Sequence, residues 1–135
     1  MSVYSKYCAV FLDRDGVINR ALERDAKPFP PRNLSEFEIL PEVPAALKKL
    51  KAAGFLLVVA TNQPDVGRGT LKQEIVEQIH AEMLRQLPID RVEVCFHPGK
   101  GASECDCRKP KPGMLLRAAQ ALKIDLVQSW MVGDR

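Results

Sequence analysis

Apolar positions along this chain alternate between short unbroken runs and longer stretches with helical spacing. Tyr7–Leu12 is apolar, β-favouring and stops at Asp13-Arg14-Asp15, which reads as a first strand. Phe55–Ala60 is continuously apolar, the pattern of a strand buried on both faces. Arg91–Phe96 and Ser129–Val132 read as two more strands. Between them, Pro41–Ala53 places Val43, Leu47 and Leu50 on one helical face and stops at Gly54. Leu71–Leu87 does the same with Ile75, Ile79 and Met83, and Gly113–Leu122 with Met114, Leu115, Ala118 and Leu122. Asn19–Leu40, rich in charge and carrying Pro28, Pro30 and Pro31, reads as a loop or short flap. Strands alternating with helices predict an α/β fold on a parallel sheet.

A site in such a sheet lies at the carboxyl ends of its strands. The polar residues agree. The first strand ends at Asp13-Arg14-Asp15, the second at Thr61-Asn62 and the fourth at Gly133-Asp134, while the third runs into His97.

The bulk numbers narrow the class. A chain of 135 residues, 46% apolar and 27% charged, is expected to form one domain with its own core. A net charge of +3 is too small to argue for nucleic acid. The apolar runs are strand-sized, not membrane-spanning, and the N-terminus lacks a small-residue cleavage site, so a cytoplasmic protein is expected. Cys95, Cys105 and Cys107 cluster with His97, and in a cytoplasmic chain that favours metal over disulfides. Cys8 and Trp130 read as core, and His80 as a surface or packing residue. Gly67-Arg68-Gly69 is either a plain loop or a backbone that comes close to substrate, with Arg68 beside it.

Asp13 and Asp15 are close enough to repel, so the pair wants a cation. Asp134 could add a third oxygen. Oxygen-only ligands suit Mg²⁺, whose charge would let a carboxylate approach a phosphate. Alone, two aspartates after a strand are also ordinary turn chemistry. Thr61-Asn62 could likewise be a turn, and Arg108-Lys109 a solvated basic pair.

Taken together, the motifs say more. Asp13-Arg14-Asp15-Gly16-Val17-Ile18-Asn19 resembles the first motif of the haloacid dehalogenase superfamily, Thr61-Asn62 the second, Lys109 the third and Gly133-Asp134 the fourth. The stretches Thr61-Asn62-Gln63, Gly67-Arg68-Gly69, Cys105 to Pro110 and Pro112-Gly113-Met114 resemble the branch of heptose 1,7-bisphosphate 7-phosphatases and histidinol-phosphate phosphatases. The resemblance implies a Rossmann-like sheet and a magnesium-dependent phosphatase. It implies that Asp13 forms an aspartyl phosphate and that Asp15 serves as acid and then base. Thr61 and Asn62 would hold phosphoryl oxygens, Lys109 would neutralise charge, and Arg108 would grip a phosphate as a planar fork. Asn19, Gln63, Arg68 and Arg135 would contact substrate. The expected substrate is a small sugar phosphate, with histidinol phosphate as the alternative, and a monomer is expected.

Cys95-x-His97, seven residues and Cys105-x-Cys107 match a closed tetrahedral structural zinc site. Such a clamp would order the loop and aim Arg108 and Lys109. The bland alternative is two core residues and an oxidisable pair, although cysteines one residue apart bridge each other poorly.

Two departures from the family stand out. Relatives commonly carry Ser-Gly where this chain has Pro64-Asp65, which stiffens the loop and adds negative charge. Family members also continue beyond the position of Arg135. The expectation is a strand order of 3-2-1-4 without the usual last strand and helix, and with that loss a catalytically impaired zinc-stabilised fragment is a further alternative. The insert of about two dozen residues after Asp15 is too short for a large cap domain, so an open site is expected.

Overall fold

The computed structural model describes residues 6–99 and 105–133. Its centre is a parallel sheet of β1 (Ala9–Leu12), β4 (Leu56–Asn62), β5 (Arg91–Cys95) and β6 (Trp130–Val132), in the order β5-β4-β1-β6. Numbered as predicted strands, that is the expected 3-2-1-4. β1 aligns Ala9 with Leu56 and Leu12 with Val59, and on its other side pairs Val10 with Trp130. All four β1 residues are buried.

Side chains alternate across the sheet. On one face Val10, Leu12, Leu57 and Val59 pack with Val43 and Leu47 of α1 (Val43–Ala52) and Met83 of α3 (Gln73–Gln86). On the other, Ala9, Phe11 and Val58 meet Ala118 of α4 (Gly113–Leu122) and Ile124. The sheet is therefore sandwiched between helices, and the strands that read as unbroken apolar runs are the ones covered twice. α1 stops where Gly54 takes φ +96°, and α4 where Lys123 takes φ +58°, the left-handed caps that end helices.

Several expectations change. The 19–40 segment is not only loop. It forms a hairpin of β2 (Leu22–Arg24) and β3 (Lys27–Phe29), turning through Asp25 and Ala26, both at positive φ. Its base is an antiparallel exchange in which Arg20 N donates to Glu38 O and Leu40 N to Ile18 O. Thr61 and Asn62 lie inside β4 rather than beyond it, and a short helix, α2 (Pro64–Gly67), follows. The buried face of α3 carries Val76, Ile79, His80 and Met83, so of its two readings His80 takes the packing one. Trp130 is 67% exposed and is not core, because β6 has a sheet neighbour on one side only among the described residues. Cys8 is half-buried rather than core. Among the described residues no helix is long and apolar enough to cross a membrane.

Candidate active site

Past β1 the chain reverses tightly: Ile18 N donates to Arg14 O, and Gly16 N to Asn19 O with Gly16 at φ +87°. The turn sets Asp13 and Asp15 on the wall of one cavity of about 940 Å³. Asn62, Gln63, Asp65, Arg68, Arg108 and Lys109 also line it, as do Phe29 of the hairpin and Met131 of β6. Six elements and loops thus bring together most of the residues singled out from the sequence.

The two carboxylates are held differently. Asp13 Oδ1 lies 3.0 Å from Lys109 Nζ and accepts from Arg14 N at 2.8 Å. Both contacts fall on Oδ1, which leaves Oδ2 without a hydrogen-bond partner among the described residues. Asp15 Oδ1 accepts from Arg14 Nε at 3.1 Å, Arg14 Nη2 at 2.9 Å and Asn19 Nδ2 at 3.0 Å, while its Oδ2 accepts from Gln63 Nε2 at 3.0 Å. Asn19 and Thr61 are buried and do not line the cavity. Asn19 supports Asp15, and Thr61 Oγ1 accepts from Gln63 Nε2 at 3.0 Å. Asn62 turns its amide to the backbone of Lys109, whose ammonium also donates to Ala60 O at 2.8 Å.

Sequence patterns missed the group beneath Asp15. Arg14 is 0% exposed, and its Nη1 donates to His80 Nε2 at 3.0 Å. Burial, with the Arg14 cation beside it, lowers the His80 pKa to about 4. The available signal was a lone histidine on the apolar stripe of a helix, which does not reveal its partner.

The cysteine loop lies beside the cavity. The sulfurs of Cys95, Cys105 and Cys107 all lie within 4.8 Å of one another. Cys95 and Cys107 are joined as a disulfide, and Cys105 is free with its Sγ 3.9 Å from Cys95 Sγ. The bonded pair departs from the expectation of metal over disulfide. It reflects how closely the fold brings these thiols together. His97 stands outside the group of three: Nδ1 accepts from Gly99 N at 3.1 Å, and the buried Nε2 has no hydrogen-bond partner among the described residues. In reduced form the three clustered cysteines would fit a metal that binds sulfur and nitrogen. Arg108 leaves the loop with its guanidinium carbon 3.0 Å from where a Cβ on Gly99 would lie, so a side chain at Gly99 would press the guanidinium aside. The proposed ligand Asp134 and the proposed contact Arg135 lie outside the described residues.

Comparison with known proteins follows the same lines. The family model of the haloacid dehalogenase-like hydrolases matches residues 30–135. The D-glycero-beta-D-manno-heptose-1,7-bisphosphate 7-phosphatase of Pasteurella multocida is 38% identical over 136 residues, covering 94% of this chain and 71% of its own length. Its counterpart in Escherichia coli K12 is 39% identical over 137 residues, covering 94% and 69%. Among solved structures, the D,D-heptose 1,7-bisphosphate phosphatase of B. bronchiseptica, complexed with magnesium and phosphate, superposes with a TM-score of 0.77 at 34% identity, covering 94% of this chain and 70% of that one. A HAD-like phosphatase of Mesorhizobium loti gives 0.78 at 32%, covering 96% and 64%.

Proposed function

Because this chain belongs to the haloacid dehalogenase-like hydrolases, we propose that it is a magnesium-dependent phosphomonoesterase whose nucleophile is Asp13. The observation that carries this reading is the contact of 3.0 Å between Lys109 Nζ and Asp13 Oδ1, on a cavity wall shared with Asp15. A fixed ammonium beside one oxygen leaves the other to attack and offsets the repulsion an incoming phosphate would feel.

Asp13 Oδ2 attacks phosphorus. A bond forms between them as the ester oxygen departs, giving an aspartyl phosphate. The departing alkoxide takes a proton from Asp15. Asp15 then removes a proton from a water that attacks the same phosphorus, releasing phosphate and restoring Asp13. Asp13 and Asp134, beside Asp15, would hold the magnesium, which would supply positive charge between carboxylate and phosphate. Cys95, Cys105 and Cys107 in reduced form, with His97, would hold a structural zinc.

For the substrate we propose a D-glycero-D-manno-heptose 1,7-bisphosphate that loses its 7-phosphate. Relatives at 38–39% identity carry that activity in their names. The cavity also carries Arg68, Arg108 and Lys111 besides Lys109, cations that suit an anionic substrate. Arg108 lines this cavity, and its guanidinium, whose Nη1 has no hydrogen-bond partner among the described residues, is a planar fork that suits a phosphate.

The test is phosphate release from both anomers of the bisphosphate, from histidinol phosphate and from a simple phosphomonoester, with magnesium and after chelation. Turnover that needs magnesium and vanishes in Asp13→Asn is expected. Turnover that survives Asp13→Asn would overturn the mechanism, and a preference for histidinol phosphate would overturn the substrate.

A further inference from the structure

We propose that His80 is a positioning residue: as a neutral hydrogen-bond acceptor it fixes the Arg14 guanidinium, which pins Asp15 Oδ1 and leaves Oδ2 as the oxygen that transfers protons. The proposal rests on the phosphatase reading above and adds His80, which no motif of that reading contains.

Arg14 is among the largest fully buried side chains. A buried cation is costly unless its donors are met. Here Nε and Nη2 both reach Asp15 Oδ1, at 3.1 and 2.9 Å, and Nη1 reaches His80 Nε2 at 3.0 Å. Guanidinium has donors and no acceptor. His80 Nε2 must therefore offer its lone pair, and the ring proton sits on Nδ1. A protonated ring would set two cations against each other, and the lowered pKa of His80, about 4, agrees with the neutral form.

The consequence for Asp15 is an asymmetry between its oxygens. Oδ1 receives three donors, including the charged fork, and cannot exchange them without moving a buried cation. Oδ2 receives one neutral amide, from Gln63, which a substrate oxygen or water can replace. Arg14 is thus set from behind by α3, an element that contributes nothing else to the cavity wall.

The experiment compares kcat and KM of the full chain with His80→Leu and His80→Gln, together with ¹⁵N chemical shifts of the His80 ring in the wild type. Leucine fills the space without a lone pair, whereas glutamine offers an oxygen acceptor. His80→Leu is expected to lower kcat about 10- to 100-fold with KM nearly unchanged, as for a displaced catalytic group. His80→Gln should recover most of that loss. The ¹⁵N shifts should show Nε2 unprotonated. Full kcat in His80→Leu, failure of His80→Gln to exceed it, or a proton on Nε2 would each overturn the inference. Should His80→Leu not fold, the glutamine variant and the ring shifts still decide. A wild type that hydrolyses no phosphomonoester overturns the phosphatase reading and the proton-transfer role with it, an outcome distinct from an active wild type whose variants are unaffected.

Discussion

Asn62 holds Lys109 by both faces of its backbone. Its Oδ1 accepts from Lys109 N at 3.0 Å, and its Nδ2 donates to Lys109 O at 3.4 Å. The side chain acts as a short strand partner for a loop residue, and the Lys109 ammonium is then delivered to Asp13. Beside the phosphate contact that family resemblance implies for Asn62, the geometry gives it the work of a clamp. Asn62→Leu should lower kcat about 10- to 100-fold through a displaced ammonium. It should also cost about 1–3 kcal/mol for the backbone groups left unpaired. Steady-state kinetics and urea unfolding of one preparation measure both.

Lys109→Met keeps the stem and removes the charge. Its loss should appear in kcat, about 10²- to 10³-fold, as when one preorganised donor is deleted. A change confined to KM would count against the role given to Lys109.

Acid should weaken the fold through His80. Its folded-state pKa, about 4, lies below the ordinary value of 6.5, so the unfolded chain binds the proton first as pH falls. The stability is fully present above pH 6.5 and is lost as pH drops toward 4. Between pH 7.5 and pH 5 the loss should be about 2 kcal/mol relative to His80→Gln, whose carboxylates titrate alike. Paired urea titrations at the two pH values give the difference directly.

Gly67 marks where α2 meets the segment after β5. A Cβ there would overlap the carbonyl oxygen of Phe96 and come within 2.8 Å of Pro98 Cδ. Arg68 next to it donates from Nε to Pro98 O at 2.9 Å. Gly67→Ala should therefore destabilise by about 1–3 kcal/mol and move Arg68 off the cavity wall. Gly54→Ala, with open space around it but φ +96°, should show only backbone strain of about 1 kcal/mol. Thermal melts of the two variants side by side separate collision from strain.

Reduced protein should carry one zinc per chain, held by the three thiols and His97. Removing it by chelation, or Cys105→Ser, should lower the melting temperature and loosen Arg108. Metal analysis before and after oxidation is the check: oxidation that joins Cys95 to Cys107 must expel the ion, because a disulfide sulfur is no longer a thiolate ligand.

The layers of this fold could be read from the sequence because burial on both faces writes itself as unbroken apolar runs. Gly113–Leu122 was predicted with the bounds that α4 has, since a glycine opens it and the apolar spacing stays helical throughout. The β2–β3 hairpin could not be read. Its strands are three residues each, one holds Pro28, and its turn uses Asp25 and Ala26 rather than glycine. Asp13, Asp15 and Lys109 were visible as motif members. The link from Arg14 to His80 joins positions 66 apart, and nothing local in either residue names the other. Trp130 misled because a large apolar ring suits a core, while its strand has one sheet neighbour among the described residues.

That tryptophan is the chain's only one, and it is exposed on β6. The protein thus carries an unlabelled optical reporter of β6, which among the described residues has one sheet neighbour. With Trp130 exposed, emission should be red-shifted and readily quenched by acrylamide. Anything that settles against β6 would register as a blue shift at a single site, with no second indole to blur the signal.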